Sequence, residues 1–265
     1  MLKKTLGLAA LTAALVCGAA FAQQKPMSVK IGVLTDMASL YADDTGPGSV
    51  AAAKLAAEDF MKSHPNVKVE IVSADHQNKP DIATGIASKW FDVDHVDMIT
   101  DVPTSSVALA LMPVAAQKNK ALIYSGPGSS DITGPKCNAN TVHWTYDTWM
   151  LANGTGKAIV KTGGDTWFFI TADYAFGHAL ERDTAAVVEK TGGKVLGKVR
   201  APINTSDFSS FLLQAQQSKA KIIGLANAGG DTINAIKQGA EFGIVAGGQK
   251  FAGLLIFAPD IQALG

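Results

Sequence analysis

Cysteine is almost absent from this chain: among 265 residues it occurs only at Cys17 and Cys137. Cys17 lies in an N-terminal apolar run, and without that run Cys137 is alone and closes no intramolecular disulfide. Cys137 sits in the loop Gly134-Pro135-Lys136-Cys137-Asn138; a catalytic thiol needs a base and an electropositive niche, and this residue reads as a plain surface-loop one. An excess of charge is also missing, since 23 Lys+Arg face 23 Asp+Glu. No basic stripe interleaved with aromatics appears, which argues against nucleic acid as a partner. Past the N-terminus no apolar run approaches the roughly 20 residues that span a bilayer, so the chain is not expected to be membrane-embedded.

Signatures of catalysis are lacking too. There is no H-E-x-x-H and no G-x-S-x-G. The stretch Gly154-Thr155-Gly156-Lys157-Ala158 has Leu151 where a phosphate-binding loop has its first glycine, and Ala158 where it has a hydroxyl. Gly46-Pro47-Gly48 and Gly126-Pro127-Gly128 do not extend to G-x-G-x-x-G. His64, His76, His95, His143 and His178 are scattered without ligand spacing, so no metal is expected. Of these, His178, which follows Gly177 at a helix start, is placed to reach a cleft. No cofactor and no enzymatic activity are expected, although acid–base pairs assemble in space and not in sequence.

What is present begins with a leader. Met1-Leu2-Lys3-Lys4 precedes an apolar run from Leu6 to Ala20, and Ala20-Phe21-Ala22 stands before Gln23. A basic start, a short apolar core and an A-x-A site make residues 1–22 a cleaved signal peptide, placing the mature chain in the periplasm. Val16 before Cys17 argues against a lipid anchor, whose signals carry a small residue there. Removing Lys3 and Lys4 leaves 21 basic against 23 acidic residues, a net charge of −2.

Short β-branched or aromatic runs then alternate with helical patterns. Strands are expected at Val29–Leu34, Val67–Val72, Met98–Thr100, Ala121–Tyr124, Trp167–Thr171, Lys194–Val199, Lys221–Leu225 and Phe251–Phe257. Helical stripes run through Val107, Ala110, Leu111 and Val114, through Phe208, Phe211, Leu212 and Ala215, and through Ile233, Ile236 and Ala240. Gly163-Gly164, Gly192-Gly193 and Gly243 follow such runs as C-terminal caps do. Strands alternating with helices imply parallel, doubly wound sheets. The alternation breaks at His143–Asp147, with four expected strands on either side. The expected organisation is therefore an N-terminal α/β lobe over residues 23–145 and a second α/β lobe over 146–250. A return toward the first lobe is expected to begin at 251–265.

In open parallel sheets ligands bind outside the carboxyl ends of the strands, and the loops expected there are small and polar. They include Thr35-Asp36-Met37-Ala38-Ser39-Leu40-Tyr41-Ala42-Asp43, Asp101-Val102-Pro103-Thr104-Ser105-Ser106 and Ser125-Gly126-Pro127-Gly128-Ser129-Ser130 from the first half. The second half adds Ala172-Asp173-Tyr174-Ala175-Phe176-Gly177 and Asn227-Ala228-Gly229-Gly230-Asp231-Thr232. Hydroxyls at these helix starts, such as Thr104 or Ser105, serve either as N-caps or in capturing an anion.

From Val29 to the C-terminus this loop pattern resembles the periplasmic substrate-binding proteins of the branched-chain amino acid (Leu/Ile/Val-binding) type, which serve ABC importers. The resemblance implies the type I fold: two lobes joined by crossing strands and closing on ligand like a hinge. It also implies a membrane permease as partner, and a monomer is expected. By position it assigns ligand contacts to Tyr41, Thr104, Ser129, Phe176 and Asn227; Ser105, Ser125, Tyr174 and Asp231 in the same loops complete the candidate site. For Tyr174 and Phe176 the competing reading is an ordinary core aromatic.

Two departures qualify the resemblance. Where the family's amino-acid binders carry an acid on the eighth strand, opposite the ligand's ammonium, this chain has Leu255. The ligand is then expected to bear a carboxylate and to lack an α-amino group, as an aromatic or keto acid does, unless Asp173 or Asp231 takes over. Second, two such lobes need about 150 residues each, and the chain stops soon after the strand that begins the return. It is expected to be truncated, with apolar surface exposed near its C-terminus. The expected function is capture of a small carboxylate in the periplasm. A ligand-sensing module of the same fold, an exported hydrolase and a non-functional fragment are the alternatives.

Overall fold

A computed structural model describes residues 27–265. The leader, its cleavage site and Cys17 lie outside the described residues.

Two parallel sheets organise the chain. The first contains β1 (Met27–Thr35), β2 (Val67–Asp75), β3 (Met98–Asp101), β4 (Ala121–Tyr124) and β5 (Thr141–His143), in the order β2-β1-β3-β4-β5. The second contains β6 (Thr166–Ala172), β7 (Lys194–Ala201), β8 (Ile222–Ala226) and β9 (Lys250–Gly253), in the order β7-β6-β8-β9. Every strand pairing is parallel. Helices α1 (Gly46–Ser63), α2 (Pro80–Asp92) and α3 (Ser105–Gln117) connect the first sheet. Between the sheets a helical run holds α4 (Thr148–Leu151), a π-turn over Ala152–Gly156 and α5 (Lys157–Lys161). The second sheet is connected by α6 (Ala175–Lys190), α7 (Ser209–Gln217) and α8 (Gly230–Glu241), and α9 (Ala258–Leu264) follows β9.

Two expectations are corrected here. The first sheet has five strands and not four, because Thr141–His143 pairs with β4 at the point read as a break. Three residues are too few to carry a period of two, which is why the sequence does not announce this strand. The last strand ends at Gly253 and not at Phe257, so Leu255 lies in the loop beyond β9.

Alternation along β6 separates the second lobe's two cores. Trp167 and Phe169 face Leu180 and Val188 of α6, while Phe168 and Ile170 face Leu212 of α7 and Ala235 of α8. Burial on both faces explains a strand with no polar side. The first lobe's core sets Trp90 and Phe91 of α2 and Leu111 of α3 against Ile99 and Leu122. Along α8 the buried residues are Asp231, Thr232, Ala235 and Gly239; of the expected stripe Ile236 packs half-buried against this core, Ile233 is half-buried and Ala240 is exposed. A Cβ at Gly239 would come within 2.4 Å of the Phe251 ring, so the packing face needs its smallest residues where the aromatic sits. Gly163, Gly192 and Gly243 each take a positive φ after a helix, as expected of caps. Cys137 is exposed. Leu55 and Phe60 on α1 are exposed, as are Val142, Trp144 and Ile261. Among the described residues no helix is long and apolar enough to cross a membrane.

Candidate functional site

Strand order reverses between β1 and β3 in the first sheet and between β6 and β8 in the second. A crevice forms at such reversals, outside the carboxyl ends of the strands. The loops after β1, β3, β4, β6, β8 and β9 meet there around a cavity of about 90 Å³. Its walls are aromatic and apolar: Tyr41, Tyr146, Tyr174, Phe176, Leu255 and Phe257. Asp44, Thr45 and Ser125 supply its polar side chains, and Pro103, Gly126, Gly128 and Ala228 complete it. Among the described residues no Lys, Arg or His lines it.

The loop after β1 is shaped by one buried carboxylate. Asp36 accepts from the Ser39 backbone N–H at 2.9 Å and the Ser39 hydroxyl at 2.8 Å through Oδ1. Its Oδ2 accepts from the Tyr41 N–H at 2.9 Å and from Asn78 at 2.7 Å. Burial opposes ionisation of Asp36, but these donors outweigh it and hold the carboxyl below its ordinary range. The turn so formed puts the Tyr41 ring in the cavity, where its hydroxyl is hydrogen-bonded to that of Tyr174 from the second lobe.

Close backbone contacts place the other rings. A Cβ on Gly177 would lie 2.0 Å from the Ala172 carbonyl oxygen, so glycine lets α6 begin directly against the end of β6 and carry Phe176 inward. Gly128 lies under Phe176 and Tyr146, whose rings stand 2.8 and 2.9 Å from where its Cβ would be. Tyr146 comes from the connection between the sheets and packs on Phe257 with ring centroids 6.0 Å apart.

Of the residues expected at the site, the structure brings Tyr41, Ser125, Tyr174 and Phe176 to the cavity wall. Thr104, Ser105, Ser129, Asn227 and Asp231 do not line it. Thr104 is fully buried and donates to Asn78 Oδ1, which ties it to the Asn78–Asp36 network behind Tyr41. It occupies the N-cap position of α3 without making a side-chain cap bond. Ser105 Oγ accepts from the Ser129 N–H at 3.1 Å, and Ser129 caps a short 3-10 turn through the Asp131 N–H. Asn227 Oδ1 accepts from the Thr232 hydroxyl at 2.7 Å. Asp231 accepts from the backbone N–H groups of Asn204 and Thr205 and lines a neighbouring cavity of about 340 Å³ with Asp43, Asp44 and Asp260. Asp173 pairs with His178 at 2.7 Å outside the cavity wall, which removes both from the site. Leu255, in contrast, does line the cavity and is nearly buried there.

Sequence reasoning missed Asp44, Tyr146 and Phe257. Asp44 lines the cavity, and its Oδ1 is buried with no hydrogen-bond partner. Burial, with Asp260 and Asp43 adding repulsion, pushes its carboxyl up to about 6. Burial raises the carboxyl of Asp101 as well; Ser125 Oγ donates to its Oδ1 at 3.2 Å, and its Oδ2 has no partner. Tyr146 is raised by burial and then by the charges of Asp44 and Asp101. The only trace of Asp44 in the sequence is an acidic doublet, Asp43-Asp44, that begins two residues after Tyr41.

Positive potential comes from the backbone. The N-cap positions of α3, α6 and α8 are Thr104, Tyr174 and Gly229, and none makes a side-chain cap bond. Pro103, Tyr174 and Ala228 at these three starts line the cavity. Uncapped N–H groups and the partial positive charge of a helix start favour an anionic group. Among the described residues no group of three or more metal-ligating side chains is placed to hold a metal ion.

Comparison with known proteins gives concordant results. Residues 28–265 match the family described as periplasmic binding protein. A solved periplasmic binding protein from Burkholderia mallei is 54% identical, with a TM-score of 0.86 over 90% of this chain and 63% of that one. A branched chain amino acid ABC transporter periplasmic ligand-binding protein from Burkholderia xenovorans is 38% identical, with a TM-score of 0.73 over 89% of this chain and 63% of that one. A Leu/Ile/Val-binding protein homolog 6 from Brucella melitensis biotype 1 is 24% identical over 97% of this chain. This chain spans 66% of that relative's length.

Proposed function

The chain belongs to the periplasmic binding protein family, and from that premise we propose that it is the solute-capturing component of an ABC importer. It holds a small carboxylate-bearing ligand between its two lobes and does no chemistry on it. Delivery is to a membrane permease, and the site of action is the periplasm. The observation that carries this reading is the convergence of three uncapped helix starts on an aromatic cavity at the carboxyl ends of both sheets. Backbone N–H groups receive the carboxylate, and the rings enclose the ligand's apolar body. Tyr41, Ser125, Tyr174 and Phe176 contact the ligand directly in this reading. Thr104, Ser105, Ser129, Asn227 and Asp231 act behind them, fixing the loops.

The test is a thermal melt of the purified protein with a panel of small carboxylates, amino acids and their deaminated analogues. Binding to the native state alone raises the midpoint by mass action, about 2.7 kcal/mol at a hundredfold excess over Kd. A cooperative melt that no compound shifts would refute capture of this ligand class.

A further inference from the structure

The cavity's hydrogen-bonding inventory is lopsided. Ser125 Oγ spends its proton on Asp101, Thr45 Oγ1 donates to the Tyr41 carbonyl at 2.9 Å, and Tyr146 donates to the Gly126 carbonyl at 3.3 Å. A hydroxyl that has donated retains only acceptor capacity. Asp44 adds a carboxylate oxygen that is buried and unpartnered. Among the described residues no Lys, Arg or His stands against these acceptors, and the side-chain donor left over is one proton of the Tyr41–Tyr174 pair. Five aromatic rings, those of Tyr41, Tyr146, Tyr174, Phe176 and Phe257, turn about the same space. Aromatic faces attract cations within about 6 Å of the ring.

A site with this inventory asks its ligand for N–H donors and positive charge. We propose that Asp44 is the counter-ion for a primary ammonium group of the ligand, so that the cavity selects compact ammonium compounds over monoanionic carboxylates. This rests on the capture reading above and sharpens it. The ligand's carboxylate lies at the helix starts and its ammonium against Asp44, among the rings. The absence of an acid at Leu255 then does not mean the absence of an amine in the ligand. The counter-charge comes instead from the first lobe, through the loop after β1. A monoanion would bring its negative charge beside Asp44 and Asp101 with only the partial charges of the helix starts to offset it, whereas an ammonium meets Asp44 directly.

The experiment is calorimetric titration at pH 7.5 with the matched set valine, 3-methylbutanoate and isobutylamine. Wild type, Asp44→Asn and Asp43→Asn are compared, each first shown to melt cooperatively. Valine is expected to bind at least about tenfold more tightly than 3-methylbutanoate, the loss that one unmet charged hydrogen bond brings. Asp44→Asn is expected to erase that preference, and the exposed neighbour Asp43→Asn to keep it. Equal or tighter binding of 3-methylbutanoate, or an unchanged preference in Asp44→Asn, overturns the counter-ion assignment while leaving capture standing. Binding of none of the three by a cooperatively folded protein overturns both. Binding of isobutylamine alone supports the assignment and removes the carboxylate from the ligand.

Discussion

The hydroxyl of Tyr41, on the loop after β1, is hydrogen-bonded to the hydroxyl of Tyr174, at the start of α6, and the bond joins the two lobes across the cavity. Both side chains lie against the second lobe's core, so the contact is shielded from water. Burial raises both phenols well above their ordinary value, which keeps them protonated and able to donate at any working pH.

Removing one hydroxyl leaves the other buried and unpaired, at a cost of about 1–3 kcal/mol. That cost falls on the arrangement in which the two hydroxyls meet. Tyr174→Phe is therefore expected to weaken ligand binding by roughly five- to a hundredfold and to lower the melting midpoint of the ligand-free protein as well. Tyr41→Phe should do the same, and the double variant should recover part of the loss because no unpaired hydroxyl remains. Calorimetry on the four proteins gives the coupling energy directly. Strictly additive losses would mean that the two hydroxyls do not act as a pair.

The fold was legible because it rests on periodicity, and the site was only half legible because it rests on direction. β6 reads as a strand in any context, and its flanking helices announce their ends with Gly163 and Gly192. Nothing in Asp101-Val102-Pro103-Thr104 tells whether the Thr104 hydroxyl faces a ligand or Asn78. That is decided by Asn78, 26 residues earlier in the chain. Asp44 was invisible for a related reason. An aspartate doublet in a loop ordinarily faces water, and here burial beside Asp260 of α9, more than two hundred residues away, makes it unusual. Leu255 shows the reverse case: its place in the cavity was anticipated, although the strand assigned to it ends at Gly253.

Two glycines separate folding from binding. Gly177→Ala puts a methyl group 2.0 Å from the Ala172 carbonyl oxygen, so the backbone of α6 or β6 must shift to admit it. A loss of about 3 kcal/mol or more is expected, seen as a lowered urea midpoint at unchanged slope. Gly128→Ala meets only the rings of Phe176 and Tyr146, which have the cavity to move into. Its midpoint should fall by less, about 1 kcal/mol, while ligand affinity drops at least tenfold because the rings take the ligand's space. Equal effects on both properties in both variants would refute the separation.

The pH dependence of stability follows from two opposed sets of groups. Asp44 and Asp231 titrate at about 6 in the fold, against 3.8 unfolded, so the native protein holds extra protons between those values. Their contribution to stability falls as pH rises through that window. Buried His76 titrates at about 4 against 6.5 unfolded, so its contribution rises over nearly the same window and partly hides the first effect. Asp44→Asn isolates one group. Its urea midpoint should exceed that of wild type at pH 7, and the difference should shrink as pH falls through about 6 and close below 3.8. A difference independent of pH would show that Asp44 is not perturbed by burial. Under the counter-ion assignment, valine affinity also weakens as pH falls below about 6, where Asp44 takes up a proton.

Leu255→Glu places a new carboxyl in the cavity with Asp44, with no basic residue among the described ones on the wall to receive it. An unpaired buried charge costs several kcal/mol, and at about 2–4 °C per kcal/mol for a chain of this size the ligand-free melt should fall by roughly 5–10 °C. An ammonium ligand would neutralise the added charge, so valine should restore most of that loss and raise the midpoint by more than it does in wild type. 3-Methylbutanoate should restore nothing. Combining Leu255→Glu with Asp44→Asn moves the single cavity-lining acid from the first lobe to the loop after β9. If charge within the cavity is what selects the ligand, the double variant regains the preference for valine that Asp44→Asn alone has lost. If it does not, the position of Asp44, and not merely its charge, determines what the cleft accepts.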